Sequence, residues 1–350
     1  MRRTTRTVRV GSIPIGGDAP IAVQSMATTD TRDVSATVNQ IRRLEQTGCE
    51  LVRVAVANRE AGMVLSKIKA QINIPLVADI HYDYRLALMA IEQGVDKLRI
   101  NPGNIGSRER VKAIVDEAKS CGIPIRVGVN AGSLADWALE KHGHTPKALV
   151  ESALVQVRML EDFGFQDIVI SLKASSVPFT LEAYRMIAKV VDYPLHVGIT
   201  EAGTPWFGSI KSAAGIGALL ASGIGDTIRV SLTGDPVEEV RVGWAILKSL
   251  ELRQRGPVFI SCPTCGRAGI DVAGIAAEVE RRLSDLKTPL KIAIMGCEVN
   301  GPGEAEEADL GIAGGSGVGL VFRKGKIIRK VKEDELVDAL VMEALQIEQQ

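Results

Sequence analysis

Residues 97–130 read KLRINPGNIGSRERVKAIVDEAKSCGIPIRVGVN. A short apolar run ends at Asn101, an amphipathic segment covers Arg108–Ser120, and a second apolar run covers Ile125–Asn130. Gly122, just after the amphipathic segment, suits the position that follows a helix, because glycine readily adopts left-handed backbone angles. The stretch therefore predicts a strand, a helix and a second strand, which is the repeating unit of a parallel α/β sheet.

The same alternation recurs in both directions from this stretch. Eight apolar runs predict strands, at Ile21–Met26, Leu51–Val56, Pro75–Ile80, Lys97–Asn101, Ile125–Asn130, Asp167–Lys173, Leu195–Thr200 and Thr227–Leu232. Amphipathic segments between and after them predict helices at Val34–Thr47, Tyr84–Gln93, Arg108–Ser120, Pro146–Phe163, Leu181–Val191, Ile210–Ala221 and Pro236–Arg253. Eight such units over about 250 residues predict a TIM (β/α)8 barrel. A doubly wound open sheet is the alternative, but no GxGxxG follows the first strand.

The pattern changes beyond Arg253. Two predicted strands, Val258–Cys262 and Lys291–Cys297, flank a predicted helix, Val272–Leu283. A glycine-rich segment, Leu310–Gly319, then leads into a predicted hairpin and a last helix, at Leu320–Lys324, Ile327–Val331 and Asp334–Glu348. We therefore expect two domains, a barrel over residues 1–254 and a small α+β domain over residues 255–350.

Composition narrows the class of protein. The chain has 350 residues, 42 Lys+Arg and 42 Asp+Glu, and this zero net charge disfavours a nucleic-acid-binding protein. No run approaches the length of a membrane span, and Met1–Arg9, which predicts a leading strand, lacks the apolar segment of a signal peptide. Five cysteines are too few for a disulfide scaffold. We expect a soluble cytoplasmic protein.

Charged residues interrupt five of the predicted barrel strands, which should be continuously apolar in a parallel barrel. They are Arg53, Arg99, Arg126, Lys173 and Arg229. Side chains two residues apart share a face, which places Asn101, Asn130, Ser231 and the pair Asp79 and His81 on the same inward surface. These cations either pair with nearby carboxylates, of which Asp79 and Glu201 are the obvious ones, or bind an anion. Because guanidinium groups suit phosphate oxygens, we predict a diphosphate or polyphosphate site at the mouth.

The remaining histidines and two cysteines carry weaker signals. His81 at a strand end is a candidate substrate contact, whereas His142 and His144, in a loop before a helix, and His196 are expected to be structural or solvated. Cys49 and Cys121 fall at helix-to-strand turns and are expected to be small buried or half-buried residues.

Three further cysteines lie in the second domain. Cys262-Pro-Thr-Cys265-Gly is followed by Cys297-Glu-Val-Asn-Gly-Pro-Gly-Glu304. Three thiolates are one fewer than a four-cysteine site requires. The residues alone favour a structural zinc site and an iron–sulfur cluster equally, and a redox disulfide less than either. Glycine- and proline-rich turns, whose amides can donate to sulfides, favour the cluster. The fourth ligand could be Glu304, Glu306 or Glu307, and spacing does not choose between them.

The motifs together resemble a known enzyme family. CPTCGR, MGCEVNGPGEA, GITEAG, LRINPGN, IRVGVNAGS and VQSMATTDT, spread over nearly the whole chain, resemble the 4-hydroxy-3-methylbut-2-enyl diphosphate synthases of non-mevalonate isoprenoid biosynthesis, in their bacterial two-domain form. The resemblance implies a sulfite-reductase-like second domain and a two-electron ring opening and dehydroxylation of 2-C-methyl-D-erythritol 2,4-cyclodiphosphate. It also implies a [4Fe–4S] cluster and flavodoxin or ferredoxin as the electron donor.

The resemblance also assigns roles to individual residues. The cluster ligands would be Cys262, Cys265, Cys297 and the exchangeable Glu304, and Glu201 would be the acid–base residue. The substrate contacts would be Arg53, His81, Arg99, Asn101, Arg126, Asn130, Lys173, Arg229 and Ser231.

Two other classes of function are also compatible with parts of the sequence. A phosphosugar aldolase or isomerase with a structural zinc domain is one alternative, and a non-catalytic cluster carrier is the other. The eighth helix should return the chain to the barrel floor, with only Gln254–Pro257 before the next strand. This geometry, together with the resemblance, predicts a homodimer in which each cluster domain caps the partner's barrel.

Overall fold

The computed structural model describes residues 2–297, 306–315 and 317–348. The chain divides into two compact units, Met1–Arg253 and Gln254–Gln350. No helix in the described ranges is long and apolar enough to span a membrane.

The first unit confirms the predicted eight-stranded parallel barrel. A short antiparallel hairpin comes first, with β1 at Val8–Val10 and β2 at Ile13–Ile15. The barrel strands are β3 (Ala22–Met26), β4 (Leu51–Ala55), β5 (Leu76–Asp79), β6 (Lys97–Ile100), β7 (Ile125–Asn130), β8 (Ile168–Lys173), β9 (His196–Val197) and β10 (Thr227–Ile228). Their order is β8-β7-β6-β5-β4-β3-β10-β9.

The barrel closes between β8 and β9, where the strand pairing is thin. A single parallel bridge joins Ile170 to Leu195. The buried Tyr184 hydroxyl accepts a hydrogen bond from Leu172 N at 3.0 Å and donates to His196 O at 2.6 Å. One side chain thus replaces ladder hydrogen bonds across the seam.

The expected leading strand over Met1–Arg9 is wrong for most of its length, because residues 2–7 are not in a strand and the first strand is β1 of a hairpin that runs from Val8 to Ile15. Val10 and Ile15 pack with Ala22 and Leu51, which begin strands β3 and β4. The hairpin therefore covers the floor of the barrel and leaves the opposite end, where the strands finish, as the mouth.

The barrel helices are α1 (Val34–Thr47), α2 (Arg59–Met63), α3 (Leu65–Lys69), α4 (Tyr84–Glu92), α5 (Pro102–Ile105), α6 (Arg108–Ser120), α7 (Asp136–His142), α8 (Pro146–Asp162), α9 (Val177–Ile187), α10 (Pro205–Ala221) and α11 (Pro236–Ser249). Two of them begin earlier than the apolar pattern indicated. The Ser176 hydroxyl accepts from Phe179 N and starts α9, and Pro205 starts α10 with a backbone angle already suited to a helix.

The second unit is a five-stranded mixed sheet with helices on one face. The strands are β11 (Val258–Ser261), β12 (Lys291–Met295), β13 (Leu310–Gly315), β14 (Val318–Arg323) and β15 (Lys326–Lys332), in that order across the sheet. Strands β11, β12 and β13 run parallel to one another, and β14 is antiparallel to both of its neighbours, β13 and β15. Helices α12 (Val272–Arg282) and α13 (Leu336–Glu348) cover one face.

The glycine-rich segment Leu310–Gly319 was expected only to lead into the hairpin, but it contains a whole strand, β13. Its glycines allow close packing of the covering side chains. A Cβ added at Gly314 would lie 2.3 Å from Ile270 Cδ1, and one at Gly319 would lie 2.4 Å from Leu336 Cδ2. Glycine here serves packing and does not break the strand.

Candidate active site at the barrel mouth

The structure brings all five strand cations to one cavity of about 260 Å³ at the barrel mouth. The residues lining it are Met26, Arg53, Asp79, His81, Arg99, Arg126, Asn130, Ser171, Lys173, Thr200, Arg229 and Ser231. Barrel interiors are normally filled by branched apolar side chains. A mouth lined by four arginines and a lysine is instead suited to an anion.

Asp79 at the end of β5 is the acid that the sequence placed beside these cations. Its carboxylate accepts a hydrogen bond from Arg99 Nη1 at 3.0 Å and lies 3.7 Å from Arg53 Nε and 3.5 Å from His81 Nε2. Burial alone would raise the pKa of Asp79, but Arg53, His81 and Arg99 hold it far below its ordinary value. Asp79 is therefore a fixed negative charge that orients two guanidinium groups.

A second acid, Glu239, comes from helix α11 and was not predicted from the sequence. Its Oε1 accepts from Arg229 Nη2 at 3.1 Å and from Leu232 N at 3.1 Å, and its Oε2 accepts from the Ser25 hydroxyl at 3.0 Å. The expectation that Asp79 and Glu201 were the acids near this face is therefore incomplete. Spacing along a strand cannot identify an acid that reaches the strand from the following helix.

Arg126, which also lines the cavity, forms no salt bridge with an acid in the described residues. Its side chain is 1% exposed, and its Nε and Nη1 have no hydrogen-bond acceptor in the described residues. Burial, together with the charges of Arg53 and Arg99, lowers the pKa of Arg126 well below its usual value. An uncompensated buried cation is costly, and a bound anion would remove that cost.

A glycine on β7 leaves room for one of the guanidinium groups of the cavity. Gly128 faces inward between Arg126 and Asn130 on β7, and a Cβ at this position would lie 2.7 Å from Arg99 Nε. Glycine in the middle of this strand therefore leaves room for the neighbouring guanidinium group.

Lys173 contacts a histidine that the sequence suggested was structural or solvated. The Lys173 Nζ lies 3.2 Å from His196 Nε2, and His196 Nδ1 lies 2.7 Å from Thr227 Oγ1. Burial and the nearby cations, first Arg126, lower the pKa of Lys173 well below its ordinary value, and burial and Lys173 lower that of His196. A neutral His196 accepts from Lys173 and donates to Thr227, so it orients a lysine of the cavity.

A larger cavity of about 400 Å³ adjoins the first and shares Asn130, Lys173 and Thr200 with it. Glu201 and His144 line this second space. Glu201 has a φ of 53°, a left-handed conformation that is uncommon for residues other than glycine. Backbone conformations of this kind concentrate at functional sites.

Several expected positions differ in the structure. Asn101 does not line either cavity, because its side-chain oxygen accepts from Gly103 N at 3.2 Å and caps α5. His142 is the last residue of helix α7 and not part of a loop. Cys49 is buried as expected, whereas Cys121 is exposed. Met26, Ser171 and Thr200 line the first cavity without having been predicted.

The cysteines of the second unit follow neighbouring parallel strands. Cys262 comes directly after β11, and Cys297 comes two residues after β12 ends. Both are partly exposed and free, as is the more exposed Cys265. The Gly296 amide donates to Cys262 Sγ at 3.3 Å, and hydrogen bonds from Arg267 lower the pKa of Cys265. Both features favour the thiolate form that binds metals.

The metal site itself is not assembled in the described part of the chain. Within residues 2–297, 306–315 and 317–348, no three His, Cys, Asp or Glu side chains are grouped closely enough to hold a metal ion. Glu304 lies outside the described residues. Of the other two acids considered, Glu307 pairs with Lys291 at 3.0 Å.

Together, the barrel and its cation-lined mouth define a TIM-barrel enzyme that acts on an anionic substrate, joined to a cysteine-bearing α+β unit. The chain belongs to the GcpE family. Residues 5–244 match the GcpE TIM-barrel domain, and residues 258–346 match the GcpE protein C-terminal domain.

Several known proteins are similar in sequence to almost the whole chain. A protein of Caldanaerobacter subterraneus subsp. tengcongensis named 4-hydroxy-3-methylbut-2-en-1-yl diphosphate synthase (flavodoxin) is 62% identical over 98% of this chain and 97% of its own. Proteins with the same name from Clostridium perfringens and Geobacter sulfurreducens are 61% and 59% identical, over 97% and 99% of this chain and 98% and 99% of their own.

The barrel also has relatives of known structure. The dihydropteroate synthase of Stenotrophomonas maltophilia matches 71% of this chain and 98% of its own, with a TM-score of 0.52 and 15% identity. At this identity, the similarity shows the fold alone.

Proposed function

We propose that this chain reduces 2-C-methyl-D-erythritol 2,4-cyclodiphosphate to 4-hydroxy-3-methylbut-2-enyl diphosphate in isoprenoid biosynthesis, with two electrons delivered through a [4Fe–4S] cluster. The observation that carries this proposal is the cavity with five cations, of which Arg126 is buried and has two nitrogens without an acceptor among the described residues. A diphosphate supplies the missing negative charge. The names of the similar proteins favour this reaction over an aldolase, an isomerase or a cluster carrier.

The substrate contacts follow from the cavity. Arg53, Arg99, Arg126, Lys173, Arg229 and Ser231 would hold the diphosphate, with His81 and Asn130 beside it. Asn101 would be a positioning residue, because its side chain caps α5 and so fixes the loop after β6. The reaction consumes two electrons and one proton. The ring carbon–oxygen bond breaks, and its electron pair remains on the phosphate oxygen. The substrate hydroxyl takes up the proton and leaves as water. The four arginines and Lys173 would stabilise the negative charge that develops on the phosphate.

Glu201 would supply the proton to the leaving hydroxyl. It lines the cavity that adjoins the cation cluster, and shares that cavity with Lys173 and Asn130. A carboxyl group within reach of the leaving oxygen can act as a general acid. The left-handed backbone at Glu201 fixes the start of its side chain in one direction.

The cluster would be held in the second unit, residues 255–350, by Cys262, Cys265, Cys297 and Glu304. The thiols fit this role because they are free and partly exposed, and a backbone amide already donates to one sulfur. When bound, the cluster would supply electrons one at a time and a Lewis-acid iron for the substrate oxygen. A flavodoxin, the donor that the names of the similar proteins specify, would reduce it.

We further propose a homodimer in which the partner's cluster unit covers the barrel mouth. Three large apolar side chains are exposed on the first turns of α10, shortly after Glu201: Trp206 (81%), Phe207 (61%) and Ile210 (51%). An apolar group of this size beside a site is typical of a protein interface. A second copy is the occupant that would also bring the missing redox group to the substrate.

The proposed function is tested by anaerobic purification, iron and sulfide analysis, and turnover of the cyclic diphosphate with reduced flavodoxin. We expect a brown protein with four irons per chain, on the basis of a [4Fe–4S] cluster. Cys297→Ser should lose the cluster and the turnover, and Cys121→Ser, at an exposed cysteine of the barrel, is the matched control. A colourless zinc protein, or full turnover by Cys297→Ser, would contradict the proposal.

A further inference from the structure

A concentrated basic segment lies on the edge strand of the second unit. Residues 323–332 read RKGKIIRKVK and contain six Lys and Arg but no acidic residue. The remaining 87 residues of the unit hold only six more, and the unit as a whole is acidic, with 15 Asp+Glu against 12 Lys+Arg. The clustering is therefore not a consequence of composition. We call these six cations the basic strip.

Most of the basic strip has no ion-pair partner within the part of the chain that the structure describes. Among the described residues, only Arg329 of the six forms a salt bridge, with Glu343 of α13 at 3.2 Å. Strand β15 is the last strand of the sheet, so its outer backbone edge is unpaired as well. Ile327 and Ile328 on the same strand are 64% and 44% exposed. Unpaired cations around exposed apolar side chains are suited to contact with an acidic protein surface.

The two faces of β15 can be distinguished from its neighbours. Arg329 reaches α13, so it points to the face that the helices cover. Lys330 and Lys332, at alternating positions, point to the open face. Ile327 pairs with Phe322, which belongs to the small apolar cluster of that same open face. The open face of β15 therefore presents two lysines and an isoleucine.

Cys262 lies at one end of the sheet. It packs against the open-face cluster that contains Met295 and Phe322 and also against the cluster under the helices. Strand β13 is parallel to β12, and its last residue, Gly315, pairs with Val318, which in turn pairs with Lys332. Lys332 is thus at the cysteine end of the sheet, three strands from β12, or about 14 Å at the usual strand spacing.

We propose that Lys330, Lys332 and Ile327 form the docking surface for the acidic protein that reduces the cluster; this inference rests on the proposed function. Unpaired cations select a partner with an acidic surface, and electron-transfer partners use small, electrostatically guided interfaces. A second copy of this chain is a poor occupant of the basic strip itself, because its barrel mouth concentrates cations of the same sign, and the proposed dimer would cover the mouth with another face of the unit. The surface lies near enough to the cysteines to bring the two redox groups together.

The test is a double charge reversal, Lys330→Glu with Lys332→Glu, measured with two reductants. Turnover is followed with reduced flavodoxin and, separately, with dithionite-reduced methyl viologen, a small molecule that needs no docking surface. We expect kcat/KM for flavodoxin to fall at least about tenfold at low salt and to lose its salt dependence. Turnover with methyl viologen should remain unchanged.

Two controls separate the possible causes. Lys112→Glu with Lys119→Glu changes the net charge equally on the exposed face of α6 and should leave flavodoxin kinetics unchanged. Lys330→Gln with Lys332→Gln should give an intermediate loss and serves if the reversal does not fold. Lysines on an edge strand also prevent pairing between copies. Aggregation of the variants with unchanged flavodoxin kinetics would overturn the docking proposal, and absence of wild-type turnover with both reductants would instead overturn the proposed function.

Discussion

Lys173 Nζ lies 3.2 Å from His196 Nε2 inside the barrel, and both side chains are buried. The lysine also faces the cavity that contains Arg126 and Arg229, whose charges oppose its protonation. Its pKa is therefore lowered by burial and by these cations, with Arg126 the largest of the charge effects. A bound diphosphate reverses this balance, because an adjacent anion favours the charged amine.

The first prediction follows from this reversal. Binding of the cyclic diphosphate should be accompanied by proton uptake, and affinity should fall as pH rises from the lowered pKa of free Lys173 towards its pKa in the complex. Calorimetry in HEPES and in Tris, whose ionisation enthalpies differ, measures the uptake. Lys173→Arg keeps a cation that does not titrate and should reduce it. Unchanged uptake in this variant would place the proton on another group.

Arg126 gives a second prediction, in which stability and binding change in opposite directions. Arg126→Met removes a buried cation without a full set of partners, so the free protein should become more stable by about 1–4 kcal/mol. Binding of the substrate should weaken by roughly tenfold to a hundredfold, because one charge-assisted phosphate contact is lost. Thermal melting and binding titrations measure the two effects. A destabilised variant with unchanged affinity would show that Arg126 is structural.

Glu239 gives the third prediction. Glu239→Gln removes the carboxylate that pairs with Arg229 in a buried setting, and should lower the free energy of unfolding by about 3 kcal/mol. The neighbouring Glu238→Gln breaks only an exposed pair with Arg241 and should cost less than about 1 kcal/mol. Denaturant unfolding of both variants makes the comparison. Equal effects would mean that the Arg229 pair adds nothing beyond a surface contact.

The sequence predicted the barrel well because its strands and helices have strong, regular periodicities. It also located the cations, since a charged residue in an apolar strand stands out. The acid Glu239 was missed because it reaches Arg229 from the helix that follows the strand, where strand spacing gives no signal. The contact of His196 with Lys173 was missed because it joins two strands that are separated by a helix in the sequence. The N-terminal hairpin over the floor was missed because three-residue strands are too short to show alternation.

Tyr184 gives the fourth prediction, which concerns the junction between β8 and β9, where the barrel closes with few strand-pairing hydrogen bonds. Its hydroxyl joins Leu172 N to His196 O, and both groups are buried. Tyr184→Phe keeps the ring but leaves these two backbone groups without that partner, and should cost about 1–3 kcal/mol. Because His196 also contacts Lys173, substrate affinity should fall as well. Tyr82→Phe, at a residue that is 71% exposed, should change neither quantity.

The last prediction tests whether two copies build one site. Helix α11 has 14 residues and carries the chain about 21 Å from the mouth towards the floor, so the barrel does not end beside its own mouth. Each cluster unit should therefore serve the partner's barrel. Glu201→Ala chains lack the proposed acid and Cys297→Ser chains lack a cluster ligand, so neither homodimer should turn over.

Co-expression of these two chains with different affinity tags allows the mixed dimer to be isolated. In the shared arrangement, the Cys297→Ser chain contributes an intact barrel and the Glu201→Ala chain an intact cluster unit, so one of the two sites is complete. We expect about half of the wild-type turnover per dimer, since each copy otherwise contributes one site. A site built within one chain would be defective in both halves of the mixed dimer. Verified mixed dimers without activity would therefore exclude the shared site, and a monomeric wild-type enzyme with full turnover would exclude the dimer itself.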